Sequence, residues 1–256
     1  MEQATPKSFD GGFVVIGTGR LGGSVARILE ADGVEIGVAG RDFHPGSIQG
    51  RIVLLCVPDD EIPAVVSRIA DSGSVPAVIG HTSGATGLGA LSPVDSPGGA
   101  FSLHPLQTVP DPATDLAGAP AAIAGTGPGA LTVAREITDR LGMVPFEVDE
   151  EARALYHAAA SIASNFLVTL EQEAAELMAR AGVEEPREVL APLVRRSLEN
   201  WVERGPDALT GPVARGDSET VERHRAAIAE QAPDLLELYE VMARYTARLS
   251  SRGAVR

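Results

Sequence analysis

The sequence predicts an α/β domain with a mostly parallel sheet, followed by an all-helical domain. Up to about residue 148, short β-branched or apolar runs alternate with helix-length segments, and from residue 149 only helical patterns remain. Strands that alternate with helices build a parallel sheet covered by helices on both faces. At 256 residues the chain is long enough for one large domain or two modest ones, with real cores.

The first domain is predicted to span residues 11–148, after a flexible leader at residues 1–10. Its strands are expected at residues 13–16, 34–38, 52–57, 75–79, 100–103, 121–124 and 144–148. Helical segments lie between several of them, at residues 21–31, 60–70 and 129–141. The stretch from residue 92 to residue 112 is rich in Pro, Gly and Ser, which predicts a loop.

The second predicted domain, residues 149–256, contains helical patterns alone. A long helix is expected from Asp149, as its N-cap, to about Arg180, with Gly182 ending it. Apolar residues at spacings of three and four predict further helices at about residues 186–204, 217–231 and 233–251.

Composition excludes several classes of function. The formal net charge of −14 argues against nucleic acid and anionic membranes as partners, because both attract clustered Lys and Arg. No apolar run approaches the roughly 20 residues of a membrane span, and no secretion signal opens the chain, so we expect a cytoplasmic protein. Cys56 is the only cysteine, which excludes an internal disulfide and a multi-cysteine metal site, and we predict no metal.

A glycine-rich turn of the form GxGxxG follows the first predicted strand and leads directly into a helical segment. The first glycine permits a tight turn, the second lets the backbone approach a pyrophosphate, and the third allows close packing of helix on strand. A glycine-rich turn without a ligand is the alternative. The context favours a Rossmann-type dinucleotide-binding domain that holds its cofactor with Gly17, Thr18, Gly19, Arg20, Leu21 and Gly22.

The residues after the second strand favour NADP(H) over NAD(H). An acidic residue there would bind the ribose 2′-hydroxyl of NAD. Instead, two small residues follow this strand, Ala39 and Gly40, and Arg41 comes next. A guanidinium can pair bidentately with the 2′-phosphate of NADP. Asp42 follows one step later and keeps NAD open as the alternative. Val57 and Pro58, after the third strand, are expected on the adenosine side of the cofactor.

Polar clusters follow the fourth and fifth predicted strands. His81 and Ser83 belong to the first cluster, and His104 and Gln107 belong to the second. The carboxyl ends of parallel strands are where doubly wound sheets bind ligands. Either histidine could instead cap a strand or hydrogen-bond a loop, which would be a structural role.

A third polar cluster lies on the long helix that follows residue 149. Spacings of three and four place uncharged polar side chains on one stripe, namely His157, Ser161, Ser164 and Asn165. The opposite stripe is apolar, with Leu155, Ala159, Ile162 and Phe166. Hydrogen-bonding but uncharged groups suit a partly buried site, with a structural histidine as the alternative.

The basic residues narrow the chemistry. Lys7 is the only lysine in the chain and lies in the leader, which argues against Schiff-base chemistry and a lysine general acid. Arg215 lies in a turn rich in Gly and Pro before a helix that Asp217 caps. This turn is either a plain connector between helices or a clamp in which Arg215 holds a carboxylate.

Three segments, FSLHPLQT, YHAAASIASN and LTGPVARGD, carry a resemblance that covers nearly the whole chain. The chain resembles the 6-phosphogluconate-dehydrogenase-like superfamily, which includes ketopantoate reductase, pyrroline-5-carboxylate reductase, β-hydroxyacid dehydrogenases and prephenate dehydrogenase. It resembles more closely a bacterial family of Rossmann-like proteins whose helical C-terminal domain has no assigned function. The resemblance implies NAD(P)-dependent hydride transfer by a homodimer joined through the helical domain.

The resemblance also assigns roles to single residues. His157 stands where β-hydroxyacid dehydrogenases and ketopantoate reductases carry a catalytic lysine, and the His104-Pro105 pair resembles a site histidine of prephenate dehydrogenases. Because this chain lacks that lysine, the lysine-dependent mechanism does not transfer unchanged.

These observations lead to one functional hypothesis. The chain is expected to be an NADP-dependent oxidoreductase that passes hydride from NADPH to its substrate, and the resemblance implies a small 2-oxo acid of the ketopantoate type as that substrate. A histidine with a pKa near neutrality would donate the proton, His157 first and His104 second. Asn165 would act with them, and Ser83, Gln107, Ser161 and Arg215 would bind the substrate. An imine reductase and a non-catalytic NADPH-binding regulatory module are the alternatives.

Overall fold

The computed structural model describes residues 12–40 and 42–253, the last two of these by their backbone alone. The chain divides into two compact units between Ile162 and Ala163. The first unit therefore extends beyond residue 148, where the sequence pattern changes. The predicted leader at residues 1–10 lies outside the described residues.

A seven-stranded sheet forms the centre of the first unit. Its strands are β1 (Phe13–Ile16), β2 (Ile36–Ala39), β3 (Ile52–Leu55), β4 (Val78–His81), β5 (Ala100–Pro105), β6 (Pro120–Gly125) and β7 (Val144–Glu147). They lie in the order β2-β1-β3-β4-β5-β6-β7. Every neighbouring pair is parallel except β5 with β6, which is antiparallel. The predicted mostly parallel α/β fold is confirmed.

The antiparallel pairing of β5 with β6 follows from the segment that joins these two strands. Parallel neighbours need a crossover, usually a helix, whereas residues 106–119 between β5 and β6 form no helix or strand. Pairing with β6 continues to Pro105, which places His104 inside β5, opposite Ala122. The sequence predicted that this strand ends at residue 103, with His104 after it.

Helices cover both faces of the sheet. They are α1 (Arg20–Ala31), α2 (Ile62–Ser72) and α3 (Pro128–Arg140). Alternate strand residues point to opposite faces, so the sheet builds two cores. One contains Phe13, Leu54 and Phe101 with residues of α1 and α3, and the other contains Val53 and Ile79 with residues of α2.

The long predicted helix is divided into four segments. A 3₁₀ turn (Glu150–Ala152), α4 (Arg153–Ser161), a π-helical segment (Ile162–Phe166) and α5 (Leu167–Arg180) follow one another. The side chain of Asp149 makes no capping hydrogen bond. Gly182 has a φ of +84°, and the Gly182 and Val183 N–H groups donate to carbonyls of α5. The predicted end at Gly182 is thus a Schellman cap.

Four more helices complete the described part of the second unit, namely α6 (Pro186–Arg204), α7 (Pro212–Arg215), α8 (Ser218–Gln231) and α9 (Leu236–Gly253). Asp217 caps α8 as predicted, because its carboxylate accepts a hydrogen bond from the Thr220 N–H at 3.0 Å. Among residues 12–40 and 42–253, no helix has the length and apolar character to cross a bilayer.

Candidate functional site

The glycine-rich turn after β1 is packed against the end of β3. Gly17 adopts a φ of +122°, and a Cβ there would lie 2.2 Å from the Cys56 carbonyl oxygen. A Cβ on Gly22 would lie 2.0 Å from the Gly17 carbonyl oxygen. The first and third glycines are therefore required by contacts within the protein, which places Val57 and Pro58, after Cys56, beside the turn.

The second glycine borders open space instead. Gly19 is the N-cap of α1 with an ordinary φ of −71°, and a Cβ built on it meets no atom within 4 Å. The same holds for Gly40 after β2. The first-turn N–H groups of α1, from Arg20 onward, have no intrahelical acceptor and can bind an anion. The turn thus leaves room where a pyrophosphate would approach, and it fits a dinucleotide.

Arg41, predicted to bind the 2′-phosphate, lies outside the described residues. Within the glycine-rich turn, Thr18 and Arg20 are exposed and Leu21 is half-buried.

A second group of polar side chains lies on one face of the sheet where β4 and β5 approach their ends. His81 pairs with Ser102 in register. His104 is two residues further along β5 and therefore points to the same face as Ser102. Helix α4 supplies the other side of this group, because an Arg153 Nη atom donates to the Ser102 hydroxyl at 2.6 Å.

Arg153 fixes the group in place. Only 3% of this arginine is exposed, and its Nε and one Nη donate to a single Glu150 carboxylate oxygen at 3.0 and 2.7 Å. The other Nη lies 3.4 Å from the Ser83 carbonyl oxygen. The second Glu150 oxygen accepts from the Leu88 N–H at 2.8 Å, so one ion pair connects α4, β5 and the loop after β4.

The loop after β4 also carries Ser83, a predicted substrate-binding residue. Its hydroxyl donates to Asp59 at 2.7 Å and accepts from the Thr86 N–H at 2.8 Å. Gly84 follows, and a Cβ there would lie 2.6 Å from His157 and 2.8 Å from His104. Glycine at this position lets both imidazoles approach the loop.

Two aromatic contacts centre on His104. Its Nδ1 lies 2.7 Å from the hydroxyl oxygen of Tyr156. The His157 ring is edge-on to it, with 5.8 Å between ring centroids. The structure therefore brings the two predicted proton donors together and adds Tyr156 to them.

Two histidines at this site, His104 and His81, differ from the expectation of a pKa near neutrality. Burial lowers the pKa of His104 to about 4, with a further decrease from His157 and Arg153 that Asp59 partly opposes. Burial likewise lowers the pKa of His81 to about 4, assisted by Arg153 and opposed by the Gly87 backbone and nearby carboxylates. Both rings are neutral at physiological pH.

Two further groups complete the electrostatics. Burial raises the pKa of Tyr156, and the charge of Arg153 opposes that increase. His81 is fully buried, and neither of its ring nitrogens makes a hydrogen bond of good geometry to a described residue. In the same part of the chain, no cluster of three or more His, Cys, Asp or Glu side chains could hold a metal ion.

The loop that carries Gln107 is hydrogen-bonded to α1, the helix that follows the glycine-rich turn. Gln107 is exposed, and its amide donates to the Asp115 carbonyl at 2.8 Å. Ser24 in α1 donates to the Pro112 carbonyl at 3.1 Å, and Arg27 donates to the following two carbonyls at 3.2 and 3.1 Å. The loop therefore connects β5, with its histidine, to α1.

The remaining predicted residues are Ser161, Asn165 and Arg215. Ser161 is the half-buried last residue of α4. Asn165 and Arg215 belong to the second unit, and both are exposed. Asn165 lies in the π-helical segment, where spacings of three and four no longer describe one face. The stripe that faces the sheet begins one turn before His157, with Arg153.

The sequence analysis missed five residues of the group, namely Asp59, Ser102, Glu150, Arg153 and Tyr156. One signal was available: Arg153, Tyr156 and His157 have the spacing of a single helix face. A charged residue at that spacing is typical of a solvated surface, but here the charge is neutralised by Glu150.

Two family models match the chain. The model for the domain of unknown function DUF2520 matches residues 119–246, which is half of the chain. The model for the Rossmann-like domain matches residues 41–105. No curated protein matches the chain.

Three solved structures resemble nearly the whole chain. One is BF3122 of Bacteroides fragilis, whose name proposes an NADP oxidoreductase, at 20% identity over 94% of this chain and 99% of that one, with a TM-score of 0.79. Another is TM1727 of Thermotoga maritima, at 22% identity, 94% and 99% coverage and a TM-score of 0.76. The third is a reductive aminase of Aspergillus terreus in complex with NADPH and ethyl-5-oxohexanoate, at 15% identity, 94% and 97% coverage and a TM-score of 0.66. At these identities the similarity establishes the fold.

Proposed function

The chain belongs to the family of the domain of unknown function DUF2520, and we propose that it is an NADP(H)-dependent oxidoreductase. Its substrate would be a small 2-oxo acid of the ketopantoate type, reduced at the carbonyl carbon. One observation carries the proposal: a neutral His104, hydrogen-bonded to Tyr156 and beside His157, lies in the same unit as a turn that fits a dinucleotide. Membership of the wider 6-phosphogluconate-dehydrogenase-like superfamily is part of this proposal.

The proposed cofactor is supported by the glycine turn. The open space beside Gly19 and the free N–H groups at the start of α1 suit a pyrophosphate. Two of the similar structures bear names that include NADP or NADPH. Arg41 would pair with the 2′-phosphate, while Asp42 would favour NAD. When bound, the reduced nicotinamide would supply the hydride.

The chain's own residues would supply the proton and hold the substrate. Hydride addition to a carbonyl carbon leaves negative charge on the oxygen, which needs a hydrogen-bond donor and a proton. His104 and His157, which both lie beside Gly84, would provide them. Ser83 and Ser161 would orient the substrate. The roles of Asn165, Gln107 and Arg215 stay predictions that single substitutions test.

Carbonyl reduction suits this site better than imine reduction. A protonated imine already carries its proton, whereas a carbonyl oxygen must receive one during the reaction. The hydrogen-bonded pair of His104 and Tyr156 provides a proton source. An imine reductase is the second candidate, favoured by the similarity to a reductive aminase.

We also propose that the protein is a homodimer joined through its helical unit. Helix α6 exposes large apolar side chains, with Leu193 and Trp201 each 63% exposed and Val202 75% exposed. Large apolar side chains exposed in this number suggest an interaction site, and a second copy of the chain would cover them.

The test is an acceptor assay with purified full-length protein. Loss of NADPH absorbance would be followed with ketopantoate and, separately, with the cyclic imine 1-pyrroline. We expect turnover with ketopantoate, and a decrease in kcat of about 100-fold or more for His157→Ala or His104→Ala. Turnover with 1-pyrroline alone would select the imine reductase. Tight NADPH binding without turnover of either acceptor would select the regulatory module.

A further inference from the structure

The side chain nearest to the proton-donating atoms of His104 is one that the sequence analysis did not assign. The Tyr156 hydroxyl lies 2.7 Å from Nδ1 of His104, and the two rings meet edge to face with centroids 5.7 Å apart. No described residue hydrogen-bonds Nε2 of His104, and that atom is not among the buried polar atoms without a partner. One nitrogen is thus occupied by a hydroxyl and the other is open.

A neutral imidazole cannot supply protons by itself. Burial keeps His104 unprotonated at physiological pH, so its Nε2–H is a weak acid on its own. A neutral histidine can still donate a hydrogen bond to a carbonyl oxygen, as the active-site histidine of triosephosphate isomerase does. It can give up that proton if a second group protonates Nδ1 at the same time.

We infer that Tyr156 supplies the proton and His104 passes it to the substrate oxygen. The hydride brings the electron pair to the carbonyl carbon, the C=O π bond breaks, and the pair moves to the oxygen. The His104 Nε2–H bond breaks as the product O–H bond forms, and the Tyr156 O–H bond breaks as a His104 Nδ1–H bond forms. Water then reprotonates the phenolate, and the histidine returns to its first tautomer. This inference rests on the proposed function.

The charges around the pair suit a phenolate that forms during the reaction. Arg153, one turn earlier on α4, stabilises the ionised tyrosine, which is why its charge opposes the effect of burial on the Tyr156 pKa. The other titratable groups that act on His104 are His157 on the same helix and Asp59 after β3. Glu150 neutralises much of the Arg153 charge through their hydrogen bonds. Tyr156 therefore acts through His104 as a positioning and proton-supplying residue.

The second unit provides a matched control. Tyr239 and His224 form the same kind of pair, with 3.0 Å from the hydroxyl to Nδ1 and 6.0 Å between ring centroids. His224 is exposed. Tyr239→Phe removes a tyrosine hydroxyl from a histidine just as Tyr156→Phe does, but in the other unit.

The first measurement needs no substrate. The full chain with ¹⁵N-labelled histidine would be studied by two-bond ¹H–¹⁵N correlation NMR, with His104 assigned through His104→Gln. We expect a neutral His104 with its proton on Nε2 at pH 7, a change in this tautomer in Tyr156→Phe, and no change in Tyr239→Phe. An Nδ1–H tautomer, an imidazolium at pH 7 or a spectrum unaffected by Tyr156→Phe would overturn the inference.

The second measurement uses NADPH with ketopantoate. Tyr156→Phe keeps the ring that packs on Phe146 and removes one oxygen, so the fold should persist, which far-UV circular dichroism would verify. We expect kcat to fall at least about 50-fold with KM nearly unchanged. The decline of kcat at high pH, where the tyrosine ionises, should disappear, a change that a purely structural role would not produce.

The outcomes separate the two proposals. If Tyr156→Phe turns over ketopantoate at the wild-type rate, or keeps the same pH profile, the role of Tyr156 is refuted while the proposed function stands. If the wild type reduces neither ketopantoate nor 1-pyrroline, the proposed function fails and the role of Tyr156 fails with it.

Discussion

The two units of the chain bury their apolar side chains to very different extents. The largest fully buried side chains, such as Phe13, Phe101 and Leu54, all belong to the first unit. Among the described residues of the second unit, the buried apolar side chains are Ala175, Ile228 and Ala232. The first unit thus folds around its own cores, whereas the helices of the second unit leave large apolar side chains such as Leu193, Trp201 and Val202 exposed.

The two histidine–tyrosine pairs repeat this contrast. Their geometries are similar, but His104 and Tyr156 lie beside a buried arginine, while His224 is exposed. The environment, rather than the pair itself, distinguishes a proton source from a surface hydrogen bond. The predictions below test this contrast between an enclosed first unit and an open second unit.

The largest effect is expected in the glycine turn of the first unit. Gly22→Ala places a methyl group 2.0 Å from the Gly17 carbonyl oxygen, so the backbone must move. We expect the free energy of unfolding to fall by more than about 3 kcal/mol. In the matched variant Gly19→Ala the methyl group points into open space, and stability should fall by no more than about 1 kcal/mol. Urea denaturation followed by circular dichroism measures both.

The Gly19→Ala variant also tests where NADPH binds. Gly19→Ala should weaken NADPH at least about tenfold, because the new methyl group occupies the space that a pyrophosphate would enter. A Gly19→Ala protein that binds NADPH normally would refute the placement of the cofactor at this turn.

Removing the buried cation should have the next largest effect. Arg153→Met leaves Glu150 without its ion-pair partner and the Ser102 hydroxyl without its donor. The loss of stability should be about 3 kcal/mol, at the low end for a broken buried pair because the Glu150 side chain keeps 38% exposure. Chemical denaturation measures it. Arg225→Met in the second unit breaks an exposed pair with Glu240 and should change the stability far less.

A substitution on the exposed apolar side chains of the second unit should change the oligomeric state of the protein. Leu193→Glu puts a charge on the exposed apolar face of α6, so we expect a dimeric wild type and a monomeric variant that still binds NADPH. Sedimentation velocity would measure the mass in each case. Arg187→Gln, an exposed polar change on the same helix, should leave the dimer intact. A monomeric wild type would contradict the proposed assembly.

The smallest effect is a pH dependence that arises in the first unit. Unfolded His81 takes up a proton near its ordinary pKa of 6.5, but the folded chain protonates it only near about 4. Between about pH 4 and pH 6.5, the unfolded chain therefore binds more protons at His81 than the folded chain does. The contribution of His81 to the free energy of unfolding is fully present above pH 6.5 and is lost as the pH decreases towards 4. Between pH 7 and pH 5, His81 should account for roughly 2 kcal/mol of that loss. His81→Leu should flatten the dependence, and an unchanged slope in urea titrations between pH 7 and pH 5 would contradict this.

Local patterns were enough to predict the strands and the glycine-rich turn, and they singled out two histidines that the structure brings together. The GxGxxG spacing predicts a turn built with Gly17, Gly19 and Gly22. Two polar residues lie among apolar neighbours, namely His104 and His157. Burial lowers the pKa of His104 to about 4. The ring therefore does not carry the extra proton that a histidine with a pKa near neutrality could donate. No sequence pattern reports the desolvation of a particular ring.

Contacts between distant segments could not be predicted. Arg153 reaches Ser102 across 51 positions of sequence and the Ser83 carbonyl across 70. The antiparallel pairing of β5 with β6 depends on a loop without a helix, and the π-helical segment interrupts the spacing used to place Asn165. Each of these depends on the folded environment.

The most direct test of the central claim is a titration of the purified protein with NADPH and, separately, with NADH, followed by nicotinamide fluorescence. We predict tight binding of NADPH, much weaker binding of NADH, and a loss in Arg41→Ala that is much larger for NADPH than for NADH. Equal losses for both cofactors would refute the role of Arg41. Failure of the wild type to bind either cofactor would contradict the assignment of this fold to an NADP-dependent oxidoreductase.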